Sequence, residues 1–247
     1  PISRAESRTD AVERLLVQLR TAHQRGCDLV VFTECALTPF FPHWWIEDDA
    51  ELESWFETEM PGPSTQPLFD EARRLGLRTT CHTYGNDEAA YSCVRAGFDV
   101  PMHMMDLDDV LLQEIAENGT SVQITFNDAY NGGFSDGRGP RWIKTEELFV
   151  KLLAADIPIP FGSGSQGSPF SDTRPRRIGK QANIFSVFVG LGMTPAQAVN
   201  TALMVAADDL NYDWAEDIGS IEAGKFADIV AVAGDPLDDI TEMERVQ

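Results

Sequence analysis

Between residues 78 and 209 short β-prone runs alternate with helical stretches, and this alternation restricts the chain to a parallel α/β arrangement. Thr79-Thr80-Cys81-His82 ends one β-like run, and the segment from Glu88 to Ala96 reads as a helix closed by Gly97. Asp99-Val100-Pro101-Met102-His103 follows, then a helix over 107–117 closed by Asn118-Gly119. Val122-Gln123-Ile124-Thr125-Phe126 alternates as a strand, a helix spans 145–155, and Ile157-Pro158-Ile159-Pro160-Phe161-Gly162 is a further strand. Residues 181–192 and 195–209 read as two more helices. A helix between consecutive strands carries the chain back to the starting edge, so the strands run parallel and present their carboxyl ends on one side.

The first 77 residues read differently. Val12, Leu15, Leu16, Leu19 and Ala22 recur at helical spacing over 11–25, and Gly26 ends that helix. Leu29-Val30-Val31-Phe32 is a short apolar run suited to a buried strand, with Thr33-Glu34-Cys35 at its carboxyl end, where α/β folds place their chemistry. An aromatic, proline-rich loop (Pro39 to Trp45), an acidic helix over 48–58, Met60-Pro61-Gly62-Pro63 and a helix over 65–75 complete this piece. Open parallel edges are unstable. The run at 29–32 is therefore expected to pair beside the strand ending at His82, or the edges to be covered in a homo-oligomer.

Near the carboxyl end, Gly219 and Gly224 bracket a polar turn, Phe226 to Val232 is apolar and β-prone, and Gly234-Asp235-Pro236 stops it, since proline has no N–H to continue a ladder. A net charge of −21 excludes nucleic acid and anionic membranes as partners, because both demand a basic surface. A small-molecule substrate fits better. Cys27, Cys35, Cys81 and Cys93 show no C-x-x-C spacing and are expected to be reduced and mostly buried. No apolar run reaches bilayer length and no signal-peptide pattern appears, so a cytoplasmic location is expected.

Three motifs make residues 78–247 resemble the carboxyl-terminal half of the metal-dependent amidohydrolases, nearest to imidazolonepropionase- and prolidase-like members. They are His82 and His103 at the ends of consecutive β-runs, Gly192-Met193-Thr194-Pro195-Ala196-Gln197-Ala198, and the run from Gly219 to Val232 closed by Gly234-Asp235-Pro236. Val31-Phe32-Thr33-Glu34 with Ala36 to Pro42, and Glu57 to Pro63, make residues 1–77 resemble the nitrilase superfamily, in particular N-carbamoyl-amino-acid amidohydrolases. The resemblance implies an α/β fold: a partial (β/α) barrel of parallel strands, as in a TIM barrel, over 78–215. A small β-appendage over 216–247 follows it and nitrilase-like β/α elements over 1–77 precede it.

What the resemblance implies about chemistry follows residue by residue. His82 and His103 match metal ligands of the amidohydrolases, with zinc the expected divalent ion, and Glu34 matches the general base of the nitrilase Glu-Lys-Cys triad. The amidohydrolase aspartate that binds metal and shuttles the proton is replaced by Gly164, and the nitrilase lysine and cysteine have no counterpart. Asp128, just past the strand ending at Phe126, is the expected acidic partner of the site, with Asp87 and Asp106 as weaker candidates. The glycine- and serine-rich stretch from Phe161 to Ser168 and the cluster Arg174-Pro175-Arg176-Arg177 read as a solvated loop with a capacity for anions. The expected activity is hydrolysis of non-peptide C–N bonds (amide, carbamoyl or cyclic amide) by metal-activated water. Two alternatives stand beside it: a catalytically inert hybrid scaffold, and an N-carbamoyl amidase lacking its lysine and cysteine.

Overall fold

The structure, a computed structural model, describes residues 7–27, 29–33, 35–39, 41–83, 87–104, 107–126, 140–162, 181–210 and 214–245. The backbone divides into two compact units, Pro1–Leu77 and Arg78–Gln247.

In the first unit, helix α1 (Arg8–Gln24) begins at a capping box: the Asp10 N–H donates to Ser7 Oγ at 3.2 Å and the Ser7 N–H donates to Asp10 Oδ2 at 3.0 Å. Its buried stripe of Ala11, Val12, Leu15 and Leu19 follows the helical period. After α2 (Asp49–Glu53), helix α3 (Gln66–Arg74) packs against α1 and buries Phe69 and Ala72. Between them lies Glu71, whose side chain is only 8% exposed and accepts from Arg20 Nε at 2.9 Å and Arg74 Nη2 at 2.6 Å. Hydrogen bonds from Arg74 and Arg20 lead the causes that hold its carboxyl down at about 2, well below the usual range. A carboxylate depressed in the folded state stabilises above its unfolded value, and that stabilisation is lost as pH falls from about 4.5 to about 2. Acid titration followed by circular dichroism should therefore show the first unit losing stability over this range, and Glu71→Gln should flatten the dependence.

The strand expected at 29–32 does not form: residues 29–33 are irregular, with Leu29 68% and Val31 78% exposed. A run of four apolar residues satisfies a strand only where a partner ladder takes its N–H and C=O groups, and none does so here among the described residues.

In the second unit, β1 (Thr80–His82) pairs in parallel with β2 (Val100–Met102) across helix α4 (Asp87–Arg95), with His82 opposite Met102. Helix α5 (Asp109–Asn118) leads to the next parallel bridge, Met102 with Gln123, and α6 (Pro140–Ala154) to the one after it, Ile124 with Phe161. Asp108 caps α5 by accepting from the Leu111 N–H at 2.8 Å, and Gly119 closes it at φ 66°, a left-handed conformation that glycine adopts without strain. Leu111, Ile115, Val122, Ile124, Phe126, Leu148, Phe149, Leu152 and Phe188 form one buried core between the extended segments and the helices. Phe126 is its hub, with ring centroids 5.0 Å from Trp142, 6.0 Å from Phe149 and 6.0 Å from Phe188.

Only β1 and β2 are regular strands among the described residues, and the expected partial barrel is not shown among them. The bridge of Ile124 with Phe161 is isolated beside Pro158 and Pro160, and that of Met102 with Gln123 beside Pro101, since each proline removes a ladder donor. The helix expected over 195–209 is broken into α8 (Pro195–Asn200) and α9 (Met204–Leu210). The Thr201 carbonyl accepts from the Phe161 N–H at 2.9 Å, and this bond takes the acceptor that a continuous helix would use.

The expected β-appendage over 216–247 is also absent as strand structure among the described residues. Phe226 to Ala231 is irregular, with Phe226, Ile229 and Val230 exposed, Val232 makes a single bridge, and a 3-10 helix, Ile240–Glu244, packs on α7 (Asn183–Gly190). A β-prone sequence becomes a strand only when another segment offers it hydrogen bonds.

At the amino ends of the strands, Arg78 Nη1 donates to Asp209 Oδ1 of α9 at 3.1 Å, and Ser121 Oγ donates to the same oxygen. Asp209 Oδ2 is buried without a partner among the described residues. Burial accordingly pushes the Asp209 carboxyl up to about 6, against the lowering effect of Ser121 and Arg78. Because the folded state holds this proton above the unfolded value of 3.8, stability is greatest below that value and falls as pH rises through about 6. Asp209→Asn should abolish the slope, worth about 2–3 kcal/mol between pH 4 and 7, as read by urea unfolding.

Candidate functional site

Cys81 faces α4, where it is joined to Cys93, so the two-residue alternation of a strand sends Thr80 and His82 to the opposite face. This pairing corrects the expectation of reduced thiols. The two cysteines are 12 residues apart in sequence, and only the packing of β1 on α4 brings their Cα atoms to 6.7 Å. Cys27 and Cys35 are free, and Cys27 is exposed rather than buried.

Residues opposite each other in a parallel pair share a face, so Met102 and Gln123 lie beside His82 on the side away from the helices. The burial agrees: Val122, Ile124 and Phe126 belong to the helix-side core, whereas Val100, Met102 and Gln123 do not. Continued alternation would turn His103 toward the helices. Instead its backbone takes φ 61°, a left-handed conformation uncommon for a residue with a Cβ, and its N–H donates to the Gln123 carbonyl at 3.2 Å. This turn at the end of β2 brings the His103 ring to His82, with centroids 4.5 Å apart and planes at 78°. One histidine is exposed (His82) and the other half-buried (His103), so water reaches the pair.

Two imidazoles meeting at the carboxyl ends of adjacent parallel strands can share a cation or relay a proton. Among the described residues, no group of three or more His, Cys, Asp or Glu side chains is placed to hold a metal ion. The described donor set is therefore two nitrogens, which suit zinc chemically but fall short of the three protein ligands of a catalytic zinc site. Glu34, Asp106, Asp128, Gly164 and the loop carrying Arg174, Arg176 and Arg177 lie outside the described residues, as does the Asp87 side chain. Sequence reasoning missed Gln123. Its signal was the alternation of 122–126, which puts a polar residue on the face opposite three buried apolar ones.

No family model matches the chain. Solved structures do, and amidohydrolase-superfamily members are among them. A Xaa-Pro dipeptidase with bound methionine in its active site is 25% identical over 74% of this chain and 45% of its own, with a TM-score of 0.59. A molinate hydrolase is 22% identical over 75% of this chain and 44% of its own, with a TM-score of 0.62. A prolidase complexed with N-methylphosphonate-L-proline is 21% identical over 96% of this chain and 56% of its own, with a TM-score of 0.61. This chain thus spans about half the length of the structures it matches. They give no support to the nitrilase resemblance of residues 1–77. No helix among the described residues is long and apolar enough to cross a membrane.

Proposed function

We propose that the chain carries the carboxyl-terminal part of a hydrolase that cleaves C–N bonds of small amide substrates, with His82 and His103 as ligands of a divalent metal, zinc in the first instance. The observation that supports this most is the meeting of the two rings on the face away from the helices, brought about by the left-handed turn at His103. A divalent ion bound there supplies a water of lowered pKa and polarises the scissile carbonyl. The chain's own residues do the rest: β1 and β2 hold the two imidazoles at one end of the sheet, and Met102 between them gives the substrate an apolar floor. The substrate range is widened from non-peptide bonds to C–N bonds in general, because one of the similar structures is a dipeptidase. Asp128 remains the proposed acid–base partner.

A second reading, an inert scaffold, draws on the two-nitrogen donor set and on glycine at position 164. One experiment separates them. The purified chain, with zinc added and with chelator, is offered N-acyl amino acids, N-carbamoyl amino acids and dipeptides. Chelator-sensitive release of free amine supports the hydrolase, and zinc uptake without turnover on any of these supports the scaffold.

A further inference from the structure

The face that carries the histidines continues onto the next extended segment, where Gln123 places a carboxamide. Gln123 stands beside Met102 in the parallel register and is tied through its backbone carbonyl to the His103 N–H. Its side chain runs across Gly162: a Cβ built on that glycine would lie 2.7 Å from each of Gln123 Cγ, Cδ and Nε2. Such an approach is open only to glycine, so residue 162 leaves the amide the room it occupies. The half-buried carboxamide has no hydrogen-bond partner among the described residues. Its donors and acceptor are therefore open to a ligand or to water. Strand spacing of about 4.8 Å puts it roughly 10 Å from His82, the reach of an acylated amino acid.

We propose that Gln123 determines specificity at this site by pairing with a neutral amide group of the substrate, one bond system away from the scissile C–N bond, with Gly162 keeping its carboxamide in place. This rests on the hydrolase reading above. Carboxamide and amide match donor to acceptor and acceptor to donor. A carboxylate offers acceptors only, so it leaves the Gln123 amide oxygen without a donor. The substrate class is therefore amino-acid amides acylated on nitrogen, ahead of the corresponding free acids.

The test is calorimetric binding of N-acetyl-L-alaninamide and N-acetyl-L-alanine to the zinc-treated full chain, with turnover measured on the same samples. The wild type is expected to bind the amide about tenfold more tightly than the acid. Gln123→Leu should bring the two within twofold of each other without lowering the thermal midpoint. Gly162→Ala, which displaces the carboxamide while leaving Gln123 present, should lose most of the preference too. Equal binding of both probes by the wild type, binding of neither, or a preference surviving in Gln123→Leu overturns the proposal. Preference without turnover leaves this inference standing while the hydrolase reading fails; turnover without preference does the reverse.

Discussion

Replacing either His82 or His103 with alanine should cut metal-dependent amide hydrolysis by about 100-fold or more, and replacing both should leave only the metal-independent background. The size follows from ligand count. The proposed site has two described nitrogen donors, and loss of an outer-shell group alone commonly costs a metal site 10–100-fold, so loss of one of two proposed ligands should cost at least that. Neither ring belongs to the buried core, so both variants should unfold within a few degrees of the wild type. Zinc content after dialysis, measured alongside the rate, identifies the cause. Full zinc retention by His82→Ala together with unchanged turnover would refute the metal role of the pair. His103 carries a further consequence of its backbone. Because φ 61° favours glycine and asparagine, His103→Asn should fold as well as His103→Ala or better while remaining equally inactive.

Phe126→Ala should produce the largest loss of stability in the second unit, about 3–5 kcal/mol. The ring is fully buried and touches Trp142, Phe149 and Phe188, which come from α6 and α7. Truncation removes the contact common to these helices and leaves a cavity that three rigid rings cannot fill by small shifts. Urea unfolding followed by tryptophan fluorescence measures it. Because the histidines lie on the other face of the sheet, metal binding by the folded fraction should persist at low denaturant. A loss below about 1 kcal/mol would mean that the core around Phe126 is not packed as described.

How much of this was legible in the sequence divides along the range of the interactions. Helix positions were readable because periodicity and closing glycines such as Gly119 act within four residues of one another. The order of strand and helix, and the placing of His82 and His103 at the ends of two consecutive β-runs, were readable for the same reason. The strand at 29–32 and the β-appendage after Phe226 were misread because β-propensity reports a side chain's fitness for a pleated surface and says nothing about whether a partner ladder is present. The break at Thr201 was invisible because the group that takes its carbonyl is the Phe161 N–H, 40 residues earlier.

The chain's sequence by itself therefore determined where most helices lie, much of the apolar stripe that α1 buries, and which residues stand at the carboxyl ends of the extended runs. All of these are short-range consequences of side-chain spacing. Only the tertiary structure decided that Cys81 meets Cys93, that His103 turns back to His82, that the Gln123 amide lies on Gly162, and that one oxygen of Asp209 is buried without a partner among the described residues. Each of these is a meeting of groups distant in sequence or a local backbone choice enforced by distant neighbours. Such meetings depend on how whole elements pack and on which backbone groups remain to be satisfied, and no local pattern encodes either.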